Sequence, residues 1–137
     1  MVGFKQSKNI LMEEQLIEGK ANVSMDNTGI LTMKMLHKSD IHENDAVEIC
    51  KVAEGITKDK IHCNLVDISE MTFISKKARE VFASQEKKTI KAVAIVSNSM
   101  LHKSLLNLYF KFSNPSIPTK VFGDKEKAKD WLNKNLK

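Results

Sequence analysis

Two segments in the N-terminal third of the chain alternate apolar and polar residues, the spacing of a strand with one buried face. The residues between them, Asp26-Asn27-Thr28-Gly29, are typical of a turn, so the pattern predicts a β-hairpin over 21–26 and 30–36. We assign its methionines to core packing rather than to metal binding. The predicted buried face comprises Ala21, Val23, Met25, Leu31, Met33 and Met35.

After the hairpin, helical and strand patterns alternate. The predicted elements are a helix capped by Ser39 or Asp40 and closed by Gly55, a strand over 63–68, a helix opened by Ser75, a strand over 91–96, a helix after 97–99, a strand over 120–122 and a helix from Asp124. The order β-β-α-β-α-β-α-β-α predicts an α/β sandwich with a mixed, mostly parallel sheet. Residues 19–137 form one predicted domain, and residues 1–18 are either an N-terminal arm or an edge strand.

Composition places the chain among soluble globular proteins, with 42% apolar and 28% charged residues. It contains no apolar run long enough to span a membrane and no secretory signal, and its two cysteines fit a reduced compartment, so we expect a cytoplasmic protein. Residues 1–70 carry a net charge of −4 and residues 71–137 one of +9. Only Arg79 of the 22 basic residues is an arginine, and the lysines are dispersed, so we do not predict a nucleic-acid partner.

Residues 20–136 resemble the SpoIIAA-like (STAS/SEC14-type) bacterial proteins of uncharacterised function, which are related in fold to the STAS anti-sigma-factor antagonists. The resemblance implies a STAS/SpoIIAA-like sandwich. It rests on the order and spacing of several short motifs: Leu65-Val66-Asp67, Asp67-Ile68-Ser69 with Met71, Phe73 and Ile74, Ala78-Arg79-Glu80, Ala92-Val93-Ala94, and Val121-Phe122 followed by Ala128 and Trp131-Leu132.

The antagonists carry a phosphorylated serine at the start of their second helix, and the matching position here is Lys76. Ser75 lies one residue earlier, where a serine caps a helix, although a phosphate would also be stabilised there. Asp67 ends a predicted central strand, where α/β folds place ligand sites, yet such a residue more commonly accepts hydrogen bonds from its own loop. The predicted partner or switch surface comprises Asp67, Ser69, Ser75, Lys76 and Arg79.

The segment 99–112 has more apolar residues than one buried helix face requires. Deeper burial, a homodimer surface and a pocket for an apolar or lipid-like ligand all fit this surplus. The residues beyond the core-facing stripe are Met100, Leu106, Tyr109 and Phe110.

The four histidines and two cysteines show no metal-ligand spacing, and the sequence holds no glycine-rich phosphate loop or nucleophile motif. We therefore predict no metal, no cofactor and no catalysis. The leading hypothesis is a non-catalytic binding module that acts through a protein partner or through self-association. The alternative is a small carrier or sensor for a lipid-like or other apolar ligand.

Overall fold

A computed structural model of the chain describes residues 10–85, 88–97 and 117–137. Its central sheet has six strands in the order β1-β2-β3-β5-β7-β8. The first three strands pair antiparallel and the remaining pairs are parallel. The strands are β1 (Leu11–Ile17), β2 (Ala21–Asp26), β3 (Ile30–Met35), β5 (His62–Asp67), β7 (Ile90–Val96) and β8 (Thr119–Phe122).

Three helices lie in the described part of the chain. Two short strands form a separate parallel pair, and each of them directly precedes one of the first two helices. The helices are α1 (Glu43–Thr57), α2 (Lys76–Ala83) and α3 (Lys125–Leu136), and the short strands are β4 (Asp40–Ile41) and β6 (Phe73–Ile74). This arrangement confirms the predicted α/β sandwich with its mixed, mostly parallel sheet. The predicted helix after residues 97–99 lies outside the described residues.

The sheet separates two hydrophobic cores because its side chains alternate between its faces. On β5, Cys63 and Leu65 face α3, where they pack with Ala128 and Leu132. The other face is covered by α1 and α2 and contains the larger core, to which β3 contributes Leu31, Met33 and Met35. The methionines of β3 are therefore core residues, as predicted.

The predicted hairpin turn is held by one carboxylate. Asp26 Oδ1 accepts hydrogen bonds from the backbone N–H groups of Thr28 at 2.8 Å, Gly29 at 3.1 Å and Ile30 at 3.1 Å. Gly29 adopts φ +98°, a conformation that L side chains rarely take, which explains a glycine at this position. Before the hairpin, Leu11–Ile17 form edge strand β1 antiparallel to β2.

Both predicted ends of the first helix were wrong. Asp40 is extended in β4, because the backbone N–H groups of Thr72 and Phe73 donate to the Ser39 carbonyl and hold this segment beside β6. The cap is His42, whose backbone N–H donates to Asp45 Oδ2 at 2.9 Å. The helix continues through Gly55 to Thr57, and its C-cap residue Lys58 adopts the left-handed conformation (φ 48°, ψ 44°).

Candidate functional site

A cavity of about 100 Å³ lies between the sheet and the layer formed by α1 and α2. Strands β3, β5 and β7 line one side, and the two helices line the other. Most of the lining is apolar and includes Met33, Val66, Val93, Ile95, Ala53 and Phe82. Helix α2 makes its main described contacts with α1 rather than with the strands, so a space remains beneath it.

Two polar atoms of the cavity's lining residues are buried without a hydrogen-bond partner. One is the side-chain oxygen Oδ1 of Asn64, from the middle of β5, and the other is Nε of Arg79, from α2. Within the described residues, the Arg79 guanidinium donates one hydrogen bond, from Nη1 to the Ile74 carbonyl at 3.0 Å. A buried polar group without a partner costs about 1–3 kcal/mol, so both atoms are unfavourable as they stand.

The cavity is large for a protein interior, because interiors contain few voids bigger than a water molecule. It is partly open rather than enclosed, so a small molecule can enter it. A bound molecule that filled the space would gain contacts with its apolar lining.

A second polar region lies at the carboxyl ends of the parallel strands. Asp67, only 6% exposed, accepts hydrogen bonds at Oδ1 from the backbone N–H of Ser69 at 3.0 Å and from its hydroxyl at 2.6 Å. Its Oδ2 lies 3.9 Å from Lys125 Nζ. Asp67 therefore stabilises its own loop, the more common of the two roles considered from the sequence.

The neighbouring charges at this edge are paired with one another. Glu70 contacts Lys34 Nζ at 3.4 Å and His37 Nδ1 at 3.3 Å. Burial lowers the pKa of the Lys125 ammonium, an effect that the nearby Asp67 carboxylate opposes. The charged side chains described at this edge therefore contact one another, and their positions need no bound ligand to explain them.

Ser75 is the N-cap of α2, as predicted. Its hydroxyl oxygen accepts a hydrogen bond from the backbone N–H of Ala78 at 3.0 Å. Lys76 and Lys77 follow in the first turn and are exposed. The structure thus brings Asp67 and Ser69 into one loop and Ser75 and Lys76 to the start of α2, whereas Arg79 lines the cavity.

A shallow groove separates the starts of α1 and α2. It is lined by His42, Glu43, Asn44, Ser75, Lys76 and Lys77. Beside it Phe73 is 46% exposed, and its ring lies 5.5 Å from that of His42. This groove therefore places an exposed aromatic residue near two lysines.

The predicted apolar ligand or dimer surface, Met100, Leu106, Tyr109 and Phe110, lies outside the described residues. Among residues 10–85, 88–97 and 117–137, no group of three or more histidine, cysteine or acidic side chains is arranged to hold a metal ion. Both cysteines are buried, and burial raises the pKa of the Cys63 thiol to about 11. No helix in the described part of the chain is long and apolar enough to cross a membrane.

The sheet order and the helices on its two faces define an α/β sandwich. The chain resembles the crystal structure of an uncharacterised protein from the DUF3478 family, which has a SpoIIAA-like fold and comes from Shewanella loihica PV-4. The TM-score is 0.57 at 21% identity, over 90% of this chain and 94% of that one. Residues 23–136 match the family model described as domain of unknown function DUF7793, and the chain belongs to that family. A comparison with curated proteins gives no match. These findings confirm the resemblance inferred from the sequence.

The sequence analysis missed Asn64 and the role of Arg79 in the cavity. A signal for Asn64 was present, because an amide in the apolar run Cys63-Asn64-Leu65-Val66 must face one of two buried sheet faces. For Arg79 the signal was that the chain's one arginine occurs four residues after the Ser75 cap, on a helix that must bury one side.

Proposed function

We propose that this chain is a non-catalytic binding module that holds a small, largely apolar ligand in the cavity beneath α1 and α2. The observation that carries the proposal is the cavity itself. Its volume is about 100 Å³, its lining is mostly apolar, and two of its lining residues, among those described, have a buried polar atom without a partner. Ligand sites in proteins are concave and mainly apolar, with a few polar groups that orient the ligand. The SpoIIAA-like fold supports binding rather than catalysis, and we infer that the module acts as a carrier or a sensor.

The proposal can be tested by filling the cavity. Ala53 of α1 is partly buried and lines the cavity, so Ala53→Leu would place three additional carbon atoms in this space. We expect this variant to fold and to lose ligand binding, measured by native mass spectrometry and by ligand-induced thermal stabilisation. The matched control is Val47→Leu on the same helix, where the side chain is 37% exposed. Retained binding by Ala53→Leu would contradict the proposal.

A protein partner is the second candidate, and the exposed Phe73 favours it. Phe73 and the adjacent Lys76 and Lys77 present an apolar ring beside two positive charges, which would suit a partner segment with an apolar anchor and acidic neighbours. A purified partner identified by cross-linking in its own cells should bind the wild type and lose affinity for Phe73→Ala. The exposed Ile61→Ala is the control, because Ile61 lies outside this surface and is 61% exposed.

A further inference from the structure

Arg79 carries a charge and an unused hydrogen-bond donor on the wall of the cavity. Its Nη1 donates to the Ile74 carbonyl, whereas its Nε–H is buried and has no partner. Within the described part of the chain, Arg79 forms no ion pair with a carboxylate. The arginine guanidinium is a planar cation whose N–H donors match the geometry of a carboxylate. The natural complement of such a group is an anionic oxygen.

Asn64 adds a second polar group from the sheet side of the same cavity. Within the described residues its Oδ1 is buried without a partner, and the donor that this amide offers to an anion is its Nδ2–H₂ group. Asn64 lies in the middle of β5, between its pairing residues Leu31 and Val93. An asparagine here interrupts the apolar pattern of a buried strand, and breaks of this kind occur at functional sites.

The other ionisable groups on the lining include Glu54 and His62. Glu54 is exposed, so water screens its charge from the cavity. The ring of His62 is buried, and its Nδ1 lies 2.8 Å from the Lys60 carbonyl, which favours the tautomer that carries the proton on Nδ1. Arg79 is therefore the lining side chain best suited to bind an anion.

We propose that the ligand is a small carboxylic acid with an apolar body, whose carboxylate accepts hydrogen bonds from the Arg79 guanidinium and from the Nδ2–H₂ group of Asn64. This inference rests on the proposed ligand-binding function and names the ligand's chemical class. One water-sized site requires about 10–15 Å³, so a cavity of about 100 Å³ has room for on the order of 7–10 non-hydrogen atoms. An acid of about six to eight carbons fits within this volume, whereas a long-chain lipid would extend out of the cavity.

The test compares hexanoate, hexan-1-ol and hexylamine, which share one apolar body and differ in the head group. Binding to the full-length, refolded chain is measured by isothermal titration calorimetry and by ligand-observed NMR. We expect hexanoate to bind about 10- to 100-fold more tightly than hexan-1-ol, the range expected for one charge-assisted hydrogen bond, and hexylamine to bind weakest. Palmitate should bind less tightly than hexanoate, and tighter binding of palmitate would overturn the inference about size.

Arg79→Gln should remove the preference for the acid over the alcohol. The control is Lys77→Gln, which removes an exposed positive charge from the same helix and should retain the preference. Because Arg79→Gln also removes the bond to Ile74, circular dichroism and thermal unfolding must first show that the variant folds. Arg79→Lys provides a second folded variant, which should retain a reduced preference for the acid.

The outcomes separate this inference from the function on which it rests. Equal affinity for acid and alcohol in the wild type, with both lost in Ala53→Leu, would overturn the carboxylate inference and leave the binding function standing. If none of the three compounds binds and the protein from its own cells carries no small molecule, the binding function itself fails.

Discussion

Replacing Asn64 with leucine should stabilise the ligand-free protein, although the substitution removes a polar residue from the middle of a sheet. The side-chain oxygen of Asn64 is buried without a partner, and such a group costs about 1–3 kcal/mol. Leucine has nearly the same shape and would exchange this loss for apolar contact with lining residues such as Val66 and Val93. We therefore expect the free energy of unfolding to rise by about 1–3 kcal/mol.

The assay is thermal and urea unfolding of protein that has been unfolded and refolded to remove any bound molecule. For a domain of this size, 1 kcal/mol shifts Tm by about 3–5 °C, so the expected shift is well within measurement. In excess hexanoate the wild type should gain stability, and Asn64→Leu should gain less, because its head-group contact is lost.

The matched control is Asn135→Leu. Asn135 is partly buried, and its side-chain Nδ2 donates to the Trp131 carbonyl at 2.9 Å, so its replacement removes a hydrogen bond that is made. We expect no stabilisation of this variant. If Asn64→Leu is no more stable than the wild type, the Asn64 amide has a partner in the ligand-free protein and the reasoning from an unpaired oxygen fails.

Three further predictions concern residues outside the cavity. Ser75→Ala should lower the free energy of unfolding by about 0.5–2 kcal/mol, because the hydroxyl caps α2 through Ala78 N, and Ser75→Asp should recover most of this loss in urea unfolding. Cys63 should resist iodoacetamide at pH 8 in the native protein and react only on unfolding, because burial raises the pKa of its thiol to about 11; rapid native labelling at Cys63, mapped by peptide mass, would contradict this. Burial opposes a low pKa for Asp45, but hydrogen bonds from His42 N and Lys20 outweigh it and lower the pKa of this carboxyl. The ionised Asp45 therefore stabilises the fold above the unfolded pKa near 3.8, and this stabilisation is lost as the pH falls through the lower folded value. Asp45→Asn should make the free energy of unfolding depend less on pH on the acid side.

The fold could be predicted from the sequence wherever one physical pattern acted alone. The alternation in 21–26 and 30–36 gave the hairpin and its buried methionines, and Ser75 marked the start of α2 because its side chain satisfies a helix N–H locally. The prediction for the start of α1 failed because Ser39 and Asp40 are held by residues 72 and 73, which are distant in sequence. A helix cap depends on residues that are close in sequence, whereas the strand pair β4–β6 joins residues more than 30 positions apart, which local patterns do not reveal.

The candidate site was less accessible to sequence analysis. The sequence suggested an apolar pocket through the composition of residues 99–112, whereas the cavity in the described part of the chain is formed by strands and helices far apart in sequence. The sequence analysis assigned Arg79 to a partner surface together with Ser75 and Lys76, at the start of the same helix. Which side of α2 faces the sheet depends on how that helix packs on α1, and helical spacing alone does not determine it.

The most direct test of the binding function is the mass of the intact protein isolated from its own cells, measured under native and then denaturing conditions. We predict a native mass that exceeds the chain mass by a small molecule, released on denaturation from the wild type and from Val47→Leu, and absent from Ala53→Leu. A native mass equal to that of the bare chain, in protein that also fails to bind hexanoate, would contradict the proposed function.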